Sequence, residues 1–558
     1  MVTQKAHINL PIILLSLGLS AVLLNACSPP TIPITPLIST SSPEISIAKT
    51  SSPTAFQPIQ ATITPDRVTV WISPALPPAL RESLELLSHG GREYVELVED
   101  QAQARVRVEP DADLPLSEWV YAFVAPFPTV QDQGSLDGLR EVWTGGSAGT
   151  VRVYASASTT AAMVGILGPP AEGERNVVAK NDLLEIAWTT RSAFALIPFE
   201  DIEPRWKVLE LDGISPIDKD FDLLSYPLMV QFGLSGDPLD IAIMAEVLDW
   251  PSTNMDPDRM TVLVMTGTTA LTRSTAWKMN IHGATYPGEK IGHWLREADL
   301  AHVSHEVSFT ESCPPPDPFQ TSLIFCSDPR HLVLLEDIGV DLVELTGNHV
   351  MDYGQEAFLH SLEQYHQRGW LTFGGGGDLE NALQAALVEH NGNRLAFLGC
   401  NAVGPSGAWA TSTSPGAAPC NTDRLLPEVE RLRAEGYQLI FTFQWAEGSV
   451  IVPAQMAAFR EVIDAGAVIV SGSQAHLPLG IEFYGDGFIH YGLGNLFFDQ
   501  MQSLELRQEL IDRHVFYDGR YINTELLTAI LEDYSQPRPM TPVERADFLS
   551  ELFTASGW

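Results

Sequence analysis

A chain of 558 residues, 45% apolar and 18% charged, can hold two or more domains, each with its own buried core. With 70 acidic against 32 basic residues, its formal net charge is −38. Such a surface repels nucleic acid and anionic lipid headgroups, which excludes a protein that tracks a polyanion unaided.

The first residues form a targeting segment. Lys5 and His7 precede an apolar run from Ile8 to Leu24, and Leu24-Asn-Ala-Cys27 follows at once. The run is short for a membrane span and ends on a small residue before a cysteine, as a secretory signal does. The Leu-x-Ala-Cys ending resembles a bacterial lipoprotein signal, which implies lipidation at Cys27 and an extracytoplasmic, membrane-anchored protein. An ordinary signal peptide or anchor with a chance cysteine is the plainer alternative. Residues 28–62, rich in Pro, Ser and Thr, read as a disordered tether.

Four further cysteines in an oxidising compartment suggest disulfides, with three possible pairings. The local pairs Cys313–Cys326 and Cys400–Cys420 are favoured, each closing a Pro-rich loop. Zinc is the weaker reading, because no C-x-x-C pair is present.

From Arg67, strand and helix signals alternate. Val68–Ile72 has β character, Pro78–Ser88 helical spacing, Arg105–Val108 strand alternation, and Trp119–Val124 is another β run. Residues 63–232 read as one α/β domain and 233–258 as a linker around a helical stretch. Leu139–Gly145, Ala195–Phe199, Asp212–Pro216 and Tyr226–Leu228 resemble segments near the cleft of the type II solute-binding fold. That resemblance implies a binding domain, working or degenerate.

Residues 259–558 form the second domain. Strands are expected at Met260–Gly267, Ala301–Glu306, Val340–Leu345, Arg394–Leu398, Leu439–Phe443, Ala467–Ser471, Gly480–Tyr484 and Gly487–Tyr491. Helices are expected near 288–298, 329–338 and 355–368. Gly374–Gly377 lacks the tail of a phosphate-binding loop and reads as a flexible turn. Glu509–Gly519 reads as a packed terminal extension. Twelve of the 14 histidines lie between His282 and His514, so imidazole chemistry belongs to this domain.

Polar residues cluster just past the strand ends, the edge where open α/β sheets bind ligands. These stretches are Thr266-Gly-Thr-Thr269, Ser304-His-Glu306, Gly347-Asn-His-Val-Met-Asp352, Gln444-Trp-Ala-Glu447 and Ser471-Gly-Ser-Gln-Ala-His476. Tyr491-Gly-Leu-Gly-Asn495 closes the series. In this order, over roughly residues 260–500, they resemble the capsule-synthesis CapA family associated with poly-gamma-glutamate. The resemblance implies a four-layer α/β/β/α sandwich of the metallophosphoesterase type. It also implies a pocket made of Gly267, Thr268, His305, Asn348, Gln444, Glu447, Gln474, His476 and Asn495.

The ligand set departs from the family's pattern. Gly267-Thr268 stands where members usually have Gly-Asp, His305-Glu306 where Asn-Leu-Glu is typical, and Gln444-Trp445-Ala446 where His-Trp-Gly is typical. Gly472-Ser-Gln-Ala-His476 keeps only the last histidine of Gly-His-His-Pro-His. Glu306, Asn348 and His476 remain as metal candidates, enough for one manganese or zinc ion, with a metal-free pocket as the alternative. His349, Asp352 and Glu306 are the candidate catalytic residues, Asp352 being spaced to orient the His349 imidazole. A purely structural turn is the alternative.

Three functions compete. The first is a surface lipoprotein of capsule or poly-gamma-glutamate biosynthesis or export, working with a membrane synthase complex or as a hydrolase. The second is a solute-binding lipoprotein with the CapA-like domain as scaffold. The third is a metal-dependent phosphoesterase.

Overall fold

The strands of the second domain are buried along their whole length, and alternate side chains enter different apolar clusters, which fixes the layers. Leu263 and Met265 of strand Met260–Thr266, Leu300 of Leu300–His305 and Leu342 of Leu342–Glu344 face inward. They meet Leu395, Phe397, Ile440, Ile469 and Phe488 of a second sheet in one buried cluster. The intervening Val264, Ala301, Val303 and Val343 pack instead on helical residues Leu334, Leu335, Phe358 and Leu362. On the far side, Ala396, Leu398, Phe441 and Val470 pack on Leu425, Val429, Phe459 and Val462. Helices, sheet, sheet and helices make the expected α/β/β/α sandwich. Each fully buried Leu or Phe contributes about 1.5–3 kcal/mol.

The computed structural model describes residues 67–89, 95–146, 151–171, 176–190 and 193–558. The signal segment with Cys27 and the tether at 28–62 lie outside these residues. No helix among the described residues is long and apolar enough to cross a membrane.

One sheet runs Leu371–Phe373, Leu342–Glu344, Leu300–His305, Met260–Thr266, Gln508–Tyr517, Arg520–Glu532, Gln536–Pro539. The other runs Ala386–His390, Asn393–Asn401, Gln438–Gln444, Ile469–Ser473, Gly487–His490, Ile481–Tyr484. Its three strands from Asn393, Gln438 and Ile469 are parallel, so their carboxyl ends share one edge. Helix Gly354–Gln367 buries Ala357, Phe358, Ser361, Leu362 and Tyr365, a helical-period stripe directly behind the Asn348 turn.

Two sequence expectations change here. Residues 509–519 are not an extension: strand Gln508–Tyr517 lies inside the first sheet, antiparallel to Met260–Thr266 on one side and Arg520–Glu532 on the other. Its charged residues concealed it, because Glu509, Asp512 and His514 are all buried. Gly374–Gly377 is not a free turn either, since Gly375 and Gly376 pair with Ala417 and Gly416. The cysteine pairs Cys313–Cys326 and Cys400–Cys420 are both formed.

The first domain is built on the sheet order Val95–Leu97, Val68–Ile72, Val106–Pro110, Met229–Gly236, Leu114–Pro126, Ala193–Pro198, Arg152–Ala155. The boundary expected at residue 232 falls inside strand Met229–Gly236, which pairs with both neighbours. The following helix Pro238–Val247 buries Ile241 and Met244, so residues 233–258 belong largely to this domain's body. The two domains also share apolar core. Met260, Val262, Val515, Tyr517 and Ile522 join the first domain's cluster, while Phe127 joins the inter-sheet cluster. Asp132 accepts from Lys207 of its own domain at 2.7 Å and, across this junction, from Arg545 at 2.7 and 2.8 Å. Together these cations hold its carboxyl at about 2 against the opposing effect of burial.

Candidate functional site

Two loops approach at van der Waals distance to make the site. A Cβ on Gly347 would stand 2.7 Å from the Glu306 Cα, and one on Gly267 would stand 2.2 Å from the Gly494 carbonyl oxygen. Only glycine permits either approach. The first brings Glu306 beside the Asn348-His349 turn. The second ties Thr268 to Asn495 through Thr268 N–H to the Gly494 carbonyl, 3.0 Å, and Leu496 N–H to the Thr268 carbonyl, 2.9 Å.

Asp352 orients His349 as the spacing predicts. Its Oδ2 lies 2.7 Å from His349 Nδ1 and also accepts the Phe325 backbone N–H at 2.8 Å. Partial burial pulls the imidazole toward neutrality. The Asp352 hydrogen bond and the charges of Glu306, Asp352 and Glu447 outweigh that and raise its pKa. Glu306 is buried, and its Oε1 has no hydrogen-bond partner. His476 Nδ1 lies 2.8 Å from Asn495 Oδ1, while its Nε2 faces Glu447 at 4.0 Å.

Thr268, Gln444, Ser473 and Gln474 bond mainly to one another. Gln444 Nε2 donates to Gln474 Oε1 at 2.8 Å and to Asn348 Oδ1 at 3.2 Å. Ser473 Oγ donates to Gln444 Oε1 at 2.8 Å, and Gln474 N–H points to Thr268 Oγ1 at 3.4 Å. A neutral amide network occupies the floor. Among the described residues, no group of three or more His, Cys, Asp or Glu side chains is placed to hold a metal ion. The donor set does not fit a two-ion centre, because the amides and hydroxyls at Thr268, Gln444, Ser473 and Gln474 supply no negative charge.

His305 does not belong to the pocket. It follows Ser304 on a strand, so it points to the opposite face, where it stacks on Phe309 at 4.6 Å and its Nδ1 lies 3.2 Å from the Tyr365 hydroxyl. Complete burial pushes its pKa down to about 3.

Arg273 has no place among the residues expected from the sequence. Its guanidinium lies between Phe325 and Phe498, 5.0 and 4.8 Å from their ring centres, and pairs with the buried carboxylate of Asp499. His349 also packs on Phe325, at 4.7 Å, and His476 on Phe498, at 5.1 Å. The two imidazoles therefore flank one arginine through two rings. The available signal was a lone cation in the neutral stretch Thr268–Ser274. Arg273, Gln474 and His476 all have left-handed backbones, with φ of 44°, 70° and 58°. Such strain concentrates where surrounding structure dictates side-chain placement.

The arrangement offers an imidazole oriented through its Nδ1, an unpartnered carboxylate oxygen, and a cation already neutralised by Asp499. It is equipped for acid–base contact with a ligand, and its excess of carboxylates over cations disfavours anions.

Residues 262–500 match the sequence profile of the bacterial capsule synthesis protein PGA_cap family. The capsule biosynthesis protein CapA of Bacillus anthracis is 23% identical over 299 residues, covering 52% of this chain and 72% of that protein. The PGA biosynthesis protein CapA of Bacillus subtilis is 26% identical over 189 residues, or 33% of this chain. A probable polyglutamine synthesis accessory protein of Mycobacterium tuberculosis is 27% identical over 181 residues, or 30% of this chain. The chain spans about half the length of these last two, 50% and 48%. Among solved structures, a phosphate transport receptor from Vibrio cholerae aligns with 33% of this chain and 95% of its own, at 12% identity and a TM-score of 0.28. A hypothetical protein from Thermus thermophilus aligns with 48% of this chain and 98% of its own, at 14% identity and a TM-score of 0.31.

Proposed function

We propose that this chain, which through residues 262–500 belongs to the bacterial capsule synthesis PGA_cap family, is a lipid-anchored surface protein that takes part in making or exporting a capsule polymer of the poly-gamma-glutamate type. The family match over the whole site-bearing region carries the reading, and the Leu24-Asn-Ala-Cys27 segment supports the anchor at Cys27. The pocket is a degenerate one, filled by the amides of Asn348, Gln444 and Gln474, with His349 and Asp352 as its acid–base pair. Its role is to assist a membrane synthase complex rather than to hydrolyse phosphate. Because the chain carries a net charge of −38, contact with a polyanionic product requires bridging cations or a partner.

Deletion of the gene and measurement of surface polymer test this reading. Loss of polymer that is restored by the wild-type chain and not by a Cys27→Ala chain is expected. Unchanged polymer in the deletion strain overturns it.

A single divalent ion, manganese or zinc, on Glu306 with Asn348 and His476 is a second reading, favoured by the unpartnered Oε1 of Glu306. Metal analysis of the purified protein decides it, and a content well below one ion per chain removes it.

A further inference from the structure

One cleft lies beside the candidate site and is built by both domains. It encloses about 1200 Å³ and is lined by Trp188 of the first domain and by Ile451, Leu479, Phe483, Leu552 and Trp558 of the second. Trp188, Phe483 and Trp558 form a mutual aromatic wall, with ring centres 5.7 to 6.1 Å apart. Small-molecule pockets typically measure about 300–1,000 Å³, so this cleft suits an extended segment better than a metabolite.

Its two lips expose apolar side chains. Val450 lines one and is 71% exposed, and Leu504, between the lining residues Ser503 and Glu505 of the other, is 53% exposed. The basic groups at the cleft are already engaged: Arg205 by Glu185 at 2.9 Å and Glu203 at 3.0 Å, Arg460 by Glu482 at 2.5 Å. Glu505 and Glu551 line the same cleft, are exposed, and form no salt bridge among the described residues. The cleft is thus apolar within and uncompensated acidic at the rim. An anionic polymer is excluded from it, and a segment with apolar side chains and basic flanks is complementary.

The lips are also the loops that hold the site. Ser449 and Val450 follow Glu447, Leu477 follows His476, and Asn495 Nδ2 donates to the Leu506 carbonyl at 3.3 Å. We propose that this cleft docks a lysine- or arginine-flanked apolar peptide segment of a partner protein, and that docking presses on the loops carrying Glu447, His476 and Asn495. The docking surface goes beyond the capsule reading and does not depend on it, since its test measures peptide binding and not polymer.

Fluorescence anisotropy of a labelled Leu/Ala peptide with Lys flanks, and of its Glu-flanked counterpart, on the full-length protein tests the proposal. Saturable binding of the Lys-flanked peptide only is expected. It weakens at least tenfold in Val450→Glu and in the Glu505→Lys, Glu551→Lys double variant, whose exposed positions leave the fold intact. In the double variant preference moves to the Glu-flanked peptide. Absence of saturable binding, equal binding of both peptides, or binding indifferent to these substitutions overturns it. So does sedimentation showing a dimer that Val450→Glu dissolves, because the occupant is then a second copy of the chain.

Discussion

Inside the sandwich, His490 Nδ1 lies 2.7 Å from Asp512 Oδ2, and the pair joins the two sheets. Strand register explains what surrounds it. Thr442, Ser471 and His490 lie side by side on three neighbouring strands of one sheet, all facing inward. Asp512 and His514 face them from the other. The Oγ atoms of Thr442 and Ser471, Nε2 of His490 and His514, and Oδ1 of Asp512 have no partner. A second strut, Ser473 Oγ to Glu344 Oε1 at 3.3 Å, spans the sheets nearer the pocket.

Removing one member of a buried ionic or polar pair leaves the other stranded, at about 3–5 kcal/mol, while apolar replacement of both is often neutral or stabilising. His490→Leu and Asp512→Leu should therefore each destabilise by a few kcal/mol. The double variant should be more stable than either single one. Urea unfolding of the four proteins measures this, and simple additivity would contradict the strut.

Acid sensitivity follows from three other buried histidines. Burial depresses His305 to about 3 and His331 to about 4, the latter against the opposing charge of Asp328. Burial also depresses His514 to about 4, where Asp512 opposes the shift and His490 and His302 assist it. In the unfolded chain each titrates near about 6.5. Between these values the unfolded state binds protons that the folded state does not, so stability falls as pH drops from about 6.5 toward 4. Thermal unfolding across that range should show a loss that His514→Gln or His305→Phe reduces. Equal pH slopes in wild type and variants would remove the explanation.

The site's outline was legible because strand ends announce themselves: an apolar run stops at Gly347-Asn348-His349, a pattern that a site and a structural turn share. Facing was harder. His305 and Glu306 are adjacent letters, yet one enters the helix layer and the other the pocket, and only strand pairing decides which. Strand Gln508–Tyr517 was hidden because sequence patterns treat Glu, Asp and His as solvent-facing, whereas here they are sealed between layers. Arg273 was invisible for a different reason. Its neighbours Phe325 and Phe498 come from segments about fifty and two hundred residues away, and no local pattern reports that convergence.

At the site itself, His349 should titrate above an ordinary imidazole. Burial works against the charge, but the Asp352 hydrogen bond and the nearby Glu306, Asp352 and Glu447 prevail. The sign is therefore opposite to that of the buried histidines. A raised folded pKa contributes stability fully below about 6.5, and the contribution is lost as pH rises through the folded value. Histidine NMR titration should place His349 higher than in Asp352→Asn, with Glu447→Gln giving a smaller decrease. A midpoint unchanged by Asp352→Asn would show that the hydrogen bond does not govern the charge.

Thr268 stands where the resemblance leads one to expect an aspartate, and its environment makes that expectation testable. The side chain is buried, and Thr268 Oγ1 lies 3.4 Å from the Gln474 amide nitrogen. Thr268→Asp would add a carboxylate beside Gln474 to a site that already holds the unpartnered Oε1 of Glu306, and burying an uncompensated charge costs several kcal/mol. A divalent cation held between the two carboxylates would offset that cost, and ligand at a hundred times its Kd stabilises by about 2.7 kcal/mol. The variant should melt below wild type in a chelator and regain stability in manganese, while wild type responds little to either. If the variant is indifferent to manganese, the missing carboxylate is not what separates this pocket from a metal-binding one. The amides of Gln444 and Gln474, which fill the floor, would then be the obstacle, and Gln444→His added to Thr268→Asp should restore the manganese response.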